Sequence, residues 1–206
     1  GIGPKTLRKI QQHNPERLWH ECSYEQFESL MSKSPGAAYE HYLNLNRLVF
    51  LQEQKEYLAR EGIRLLTRDD EEYPERLHQI AIPPTLLYVK GDVSGLDHAL
   101  AVIGTRKYSS YGEQICYQLC SDLGGASIPI ISGLALGIDS IAHTACIAAG
   151  GRTLAVLGGG LDNSVLYPKS NRQLAQKILD TGGALISELP PMTQPRRELF
   201  PLRKRI

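Results

Sequence analysis

Ser132, Asp139 and His143 lie in one run, from Pro129 to His143, at spacings that suit two kinds of chemistry. Asp139 and His143 are four apart, one helical turn, so the carboxylate could orient the imidazole for general-base work. Ser132 is the nucleophile candidate beside them. No G-x-S-x-G elbow surrounds it, so a histidine hydrogen-bonded to an aspartate for structural reasons is the preferred reading. The same run breaks at Ser132-Gly133 and resumes as a helical pattern after Gly137. A turn of small residues before a helix leaves backbone N–H groups free at the positive end of the helix dipole, and phosphate suits such a place. A plain strand-to-helix connection without a ligand is the alternative.

A second set of residues is cationic. Arg106 and Lys107 directly follow Gly104-Thr105, and Lys169 stands in Tyr167-Pro168-Lys169-Ser170-Asn171, where Asn171 or Ser170 can cap the next helix. Tyr108, Tyr111 and Tyr167 supply rings. Near the C-terminus, Arg196, Arg197, Arg203, Lys204 and Arg205 face a single acidic residue, Glu198. Cations, backbone amides and stacking rings together are what single-stranded nucleic acid requires. Each residue taken alone also fits an ordinary solvated surface.

Other ligand classes lack their fingerprints. There is no G-x-x-x-x-G-K-[ST] and no G-x-G-x-x-G after a predicted strand, which speaks against a P-loop and against NAD. Cys22, Cys116, Cys120 and Cys146 include no CxxC pair. Cys116 and Cys120 share a helix face with no further ligands in the sequence, so buried reduced thiols are expected rather than a metal site. No cofactor is expected.

These residues need elements to position them. Residues 63–206 alternate short apolar runs with helical patterns: strands at Ile63–Leu66, Leu86–Val89, Ala99–Ile103, Ile128–Ile131, Thr153–Leu157 and Ala184–Ser187, and helices at Tyr111–Leu123, from Gly137 to about Ala149, and Asn171–Leu179. In the first of these helices Ile115, Leu119 and Leu123 are expected inward. Continuous rather than alternating apolar runs mark strands buried on both faces, hence an α/β fold with a mostly parallel sheet sandwiched by helices. Right-handed crossovers then bring strand C-termini to one edge, where such sheets bind ligands. Three strand ends carry small-residue turns, Gly104-Thr105, Ser132-Gly133 and Gly158-Gly159-Gly160, so one cleft lined by three turns is predicted. Residues 1–62 read as a small all-helical domain. Gly1-x-Gly3 before a helix suggests part of a helix-hairpin-helix, a structural hairpin being the alternative. Asn14 and Ser23 are N-cap candidates, and Gly62 stops the last helix.

The bulk properties set limits. The 206 residues carry 23 basic and 22 acidic side chains, formal charge +1, so a focused basic cleft fits and a generally basic coat does not. No apolar run approaches a membrane span. The chain opens at Gly1 without Met or a signal-peptide pattern, which reads as a fragment, and the free thiols fit the cytoplasm.

The chain resembles the DNA-processing protein A (DprA/Smf) family. The resemblance rests on Tyr73-Pro74 to Leu77, Pro84-x-x-Leu87-Tyr88, Val102-Ile103-Gly104-Thr105-Arg106-Lys107 with Ser109 and Tyr111-Gly112, and Ser132–Asp139 with Ala142-His143. It continues through Gly150-Gly151-x-Thr153, Gly160-Leu161-Asp162, Tyr167-Pro168, Ser187-Glu188 and Phe200-Pro201-x-Arg203-x-Arg205. It implies an extended Rossmann-like domain behind a SAM-like helical domain. It also implies a homodimer without catalytic activity that binds single-stranded DNA and delivers it to the RecA recombinase in natural transformation. By motif position the DNA-contacting arginine is Arg106 and the lysine Lys169, and the Ser132-Gly133 turn meets a phosphate. Gly104, Thr105, Lys107, Gly137, Gly159, Asn171, Arg203 and Arg205 complete the expected DNA-binding set. Two departures stand out: the spacer Asn163–Leu166 is longer than the family pattern, and Lys204 replaces an asparagine in the final motif. Many members carry a winged-helix-like domain after this point.

Two other readings compete. A phosphoribohydrolase of the cytokinin-activating (LOG) type would use a similar sheet, but needs Pro-Gly-Gly-x-Gly-Thr, and Gly158-Gly159-Gly160 is followed by Leu161-Asp162. The other is a scaffold with a vestigial cleft.

Overall fold

Helix α1 (Arg47–Arg60) stops where the sequence places its terminator: Gly62 takes φ +64° and its N–H donates to the Ala59 carbonyl at 3.2 Å. The computed structural model describes residues 47–96 and 98–206. The expected helix-hairpin-helix, the caps at Asn14 and Ser23, the SAM-like packing and Cys22 lie outside the described residues.

Residues 58–206 form one unit around a six-stranded sheet. Its strands are β1 (Ile63–Thr67), β2 (Leu86–Gly91), β3 (Leu100–Ala101), β4 (Ile130–Ser132), β5 (Thr153–Val156) and β6 (Ala184–Ser187), in the order β1-β2-β6-β5-β4-β3. The helices are α2 (Glu75–His78), α3 (Ser110–Gly125), α4 (Ile138–Ala148), α5 (Arg172–Asp180) and α6 (Leu199–Leu202), with 3-10 turns at Lys169–Asn171 and Arg203–Arg205.

Strands β3 to β6 are parallel, so their C-termini share one edge. Strand β2 is antiparallel to both β1 and β6, and its C-terminus lies at the opposite edge. The expectation that every strand ends on one side is corrected here. An apolar run reports burial, and burial does not encode strand direction. The fully buried strands are β5 and β6, whereas β3, expected over Ala99–Ile103, is a short exposed edge strand.

Each step from β3 to β6 moves the same way across the sheet, and right-handed crossovers then put α3, α4 and α5 on one face. Accordingly α4 packs against both α3 and α5. The pleat of β5 divides the core: Ala155 joins Leu134, Leu166, Ala175 and Ile178 on the helical face, while Leu154 and Val156 join Tyr73, Leu77, Leu87 and Val89 on the other. On that second face α2 contributes Leu77, and Val93, Leu96 and Ile206 also pack there.

Helix α3 is rotated relative to the sequence expectation. Its buried residues are Cys116, Cys120 and Gly124, whereas Ile115 and Leu119 are 40% and 57% exposed. The reason is the close approach of α3 and α4. A Cβ on Gly124 would come 2.9 Å from the Cys146 carbonyl, so only small side chains fit the contact. Cys116 and Cys120 lie 4.0 Å apart through sulfur, and Cys146 is buried nearby. Burial pushes the Cys120 thiol up to about 12. Among the described residues no group of three His, Cys, Asp or Glu could hold a metal, and no helix is long and apolar enough to cross a membrane.

Candidate functional site

The site is built on the loops that leave β3 and β4, which are adjacent and parallel. The two loops are fitted together by glycines. Gly137 takes φ +85°, and a Cβ there would collide with the Thr105 carbonyl and sit 2.7 Å from the Arg106 Cα. A Cβ on Gly104 would come 2.7 Å from the Ile138 side chain. In the space so left, the Ile138 N–H donates to the Thr105 carbonyl at 3.1 Å. Thr105 shapes its own loop: its hydroxyl donates to the Lys107 carbonyl at 2.9 Å and accepts from the Lys107 N–H at 3.1 Å. Arg106 and Lys107 are thereby displayed in solvent from a fixed turn.

The Ser132–Gly137 loop is not the open anion cradle that the sequence suggests. Its Ala135 N–H donates to the Asp139 carboxylate at 3.3 Å, so the start of α4 already holds an internal negative charge. Ser132 is buried, and its hydroxyl donates to the Val102 carbonyl at 2.6 Å, tying β4 to β3 rather than serving as a nucleophile. Leu134 sits in the left-handed region at φ +57°, and its carbonyl accepts from Asn171 Nδ2 at 2.9 Å. The same amide donates to Ser140 Oγ at 2.8 Å. Asn171 stands at the N-cap position of α5, as expected, but its side chain makes no cap bond there. Its amide instead clamps the turn that carries Lys169 onto the loop after β4. Lys169 itself is exposed.

Asp139 and His143 are not partners. His143 is completely buried, and its Nδ1 lies 2.7 Å from Thr153 Oγ1, whose own hydroxyl donates to the Ile130 carbonyl at 2.8 Å. The ring must therefore donate from Nδ1 and is neutral. Burial, with the Arg203 charge adding to it, pushes its pKa down to about 3. Asp139 faces Arg203 instead, at 3.9 Å. The i, i+4 spacing allowed the contact, but the sheet below α4 offered His143 a better acceptor.

The C-terminal segment forms the far wall. Arg203 donates from one nitrogen to the carbonyls of Gly133 at 2.6 Å and Val156 at 2.9 Å, the ends of β4 and β5. Burial lowers its pKa, the Asp139 carboxylate opposes that, and the Arg106 charge adds to it. A Cβ on Gly133 would sit 2.7 Å from the Arg203 Cζ, so that glycine makes room for the guanidinium. Arg205 donates to the Ile82 carbonyl at 2.9 Å and forms a two-toothed ion pair with Glu188. Phe200 lies between the walls. Its ring centre is 5.8 Å from the Arg106 Cζ, 5.5 Å from the Arg203 Cζ and 5.9 Å from the Tyr167 ring.

A broad groove results. Gly104, Arg106, Ser132, Gly133, Tyr167 and Arg203 are among its lining. Two of the three predicted turns meet there. The third does not: Gly158, Gly159 and Gly160 are buried, Gly158 against Phe200, Gly159 below Pro195 and Gly160 against Pro191. Of the expected DNA-binding residues, Gly104, Thr105, Arg106, Lys107 and Lys169 are exposed. Ser132, Gly133, Gly137, Gly159 and Asn171 are buried, and Arg203 and Arg205 are engaged with the protein itself. The sequence reading placed Phe200 only within the final resemblance motif, with no role at the site, and paired Asp139 with His143 rather than Arg203. The apolar Phe200-Pro201 pair within the basic tail was the available signal for the first.

The family model described as DNA recombination-mediator protein A matches residues 64–206. Protein Smf of Synechocystis sp. is 35% identical over 218 aligned residues, which cover 100% of this chain and 52% of that protein. DNA processing protein DprA of Bacillus subtilis is 38% identical over 148 residues, 71% of this chain and 49% of that one. The X-ray structure of DNA processing protein A from Streptococcus pneumoniae superposes with TM-score 0.80 at 29% identity, covering 100% of this chain and 69% of that one. A structure of DNA processing protein A from Helicobacter pylori, described as giving insight into its single-stranded DNA binding mode, superposes with TM-score 0.59 at 31% identity, covering 68% of this chain and 62% of that one. The chain spans about half the length of the curated relatives it matches.

Proposed function

This chain belongs to the DNA recombination-mediator protein A family, and from that premise we propose that it binds single-stranded DNA without sequence preference along the groove and passes it to the RecA recombinase. It acts as a homodimer in the cytoplasm and carries out no chemical step. Residues 63–206 are the DNA-binding domain, and residues 1–62 a separate helical domain.

The observation that carries this reading is Arg106. It is exposed on the groove, packs over an aromatic ring, and has no carboxylate within ion-pair distance among the described residues. An uncompensated guanidinium beside an exposed tyrosine, Tyr167, suits a phosphate with its neighbouring base. Lys107 and Lys169 supply further charge, and Gly104 and Thr105 hold the loop. Gly137, Gly159, Asn171 and Arg205 support that surface from beneath, while Ser132, Gly133 and Arg203 line the groove floor. The single-stranded DNA binding described for the Helicobacter pylori protein supports the reading. The phosphoribohydrolase alternative is disfavoured by the burial of Gly158–Gly160, which leaves its glycine loop no access to a nucleotide.

Fluorescence anisotropy with an oligo-dT across a salt series tests this. Arg106→Glu and Lys169→Glu are each expected to weaken binding by at least ~1 kcal/mol, and the wild-type log–log salt slope to be about −0.7 per phosphate contact. Wild-type affinity in both variants removes the groove from the account. Release of adenine from AMP would restore the enzyme reading.

A further inference from the structure

Phe200 is the hub of the groove wall, and the two arginines over its ring differ in kind. Both guanidinium carbons lie within 6 Å of the ring centre, at 5.8 Å for Arg106 and 5.5 Å for Arg203, the range in which a cation is drawn to an aromatic face. Arg203 is largely buried, hydrogen-bonded to two carbonyls and faced by Asp139. Arg106 is exposed and has no carboxylate in reach among the described residues. The ring therefore holds one neutralised cation and one uncompensated one. Phe200 is itself seated firmly: its Cδ1 would lie 2.7 Å from a Cβ on Gly158, so the ring packs down onto the bare backbone after β5.

We propose that Phe200 is the positioning residue for Arg106. The ring face holds the guanidinium at the groove mouth in the orientation that meets a DNA phosphate, and leaves Tyr167, tilted 55° to Phe200, to stack on the adjoining base. A free arginine samples many rotamers, and ordering it on binding lowers affinity; a stacked one is already ordered. This inference rests on the reading of Arg106 as a DNA contact.

The test compares Phe200→Leu, Phe200→Tyr, Arg106→Ala and the double variant F200L/R106A, by oligo-dT anisotropy across a salt series. Phe200→Leu is expected to weaken binding about two- to fivefold, the size of an exposed cation–π contact, and Phe200→Tyr to restore it. Arg106→Ala is expected to flatten the log–log salt slope by about 0.7, and Phe200→Leu to flatten it by less. In the Arg106→Ala background, Phe200→Leu should change little further. If Phe200→Leu binds as wild type, or weakens binding equally in both backgrounds, the inference is overturned while Arg106 stands as a contact. If Arg106→Ala binds as wild type, both readings fall. NMR of the unmutated protein gives a measurement that no misfolded variant can spoil. The Arg106 δ and ε protons should be shifted upfield by the Phe200 ring current, and random-coil positions would overturn the positioning role outright.

Discussion

The Arg203 guanidinium and the Asp139 carboxylate face each other at 3.9 Å beneath Gly133, with side chains only 15% and 8% exposed. The arginine also caps the carbonyls at the ends of β4 and β5, so the pair locks the C-terminal segment to the edge that carries the site. Removing one partner leaves a charge without its counterpart and two carbonyls without a donor. Arg203→Met is expected to cost about 3 kcal/mol in urea unfolding. The double variant R203M/D139N should recover part of the loss. A cost below ~1 kcal/mol would mean that the pair holds nothing in place.

Gly137 offers a test that separates shape from charge. At φ +85°, with the Thr105 carbonyl where a Cβ would stand, Gly137→Ala is strained in its backbone and crowded by its neighbour. The variant is expected to lose about 2 kcal/mol of stability. It is also expected to bind oligo-dT more weakly, because the Thr105–Arg106 backbone must shift. Retained affinity in a destabilised protein would show that the loop tolerates the shift.

His143 makes stability depend on pH in a defined window. Its pKa is about 3 in the folded protein, held down by burial and by Arg203, against an ordinary value of 6.5. Below pH 6.5 the unfolded chain binds a proton that the folded chain refuses, so stability is fully present above that pH and falls as pH drops towards 3. Between pH 6.5 and pH 5 the loss should be about 2 kcal/mol, measured by denaturant titration at each pH. His143→Gln, whatever its stability at pH 7, should lack this slope. An unchanged slope would assign the effect to another group.

The exposed stripe on α3 gives a contrast within one helix. Leu119→Gln, at a site 57% exposed, is expected to change stability by no more than ~0.5 kcal/mol. Cys120→Asp, one residue on and 1% exposed, should cost more than ~3 kcal/mol through an unpaired buried charge. Equal effects would mean that α3 is turned the other way in solution.

Those two residues mark what the sequence could convey. Where burial follows apolarity, as in β5 and β6, strands were legible to within a residue. Where two helices meet closely, smallness decides, and Cys116, Cys120 and Gly124 displaced the more apolar Ile115 and Leu119 from the interior. The loops at the strand ends were legible because glycine and serine mark turns. Whether a loop is open or covered depends on segments far along the chain, so the burial of Gly158–Gly160 under Pro191, Pro195 and Phe200 could not be read locally. The same holds for Asp139, whose partner turned out to be Arg203 across the fold rather than His143 one turn away. The direction of β2 was illegible because burial carries no sense of direction.

The wall made by Phe200 and Arg203 has a consequence for assembly. Arg203 reaches back 70 positions to Gly133, and Arg205 reaches back 123 to Ile82. During synthesis the strands and crossover helices precede these anchors, and such long loops close slowly. The groove thus gains this wall after the body it closes onto: a ribosome halted ahead of Phe200 would release most of the layers with Arg106 displayed but no ring for its guanidinium to rest on.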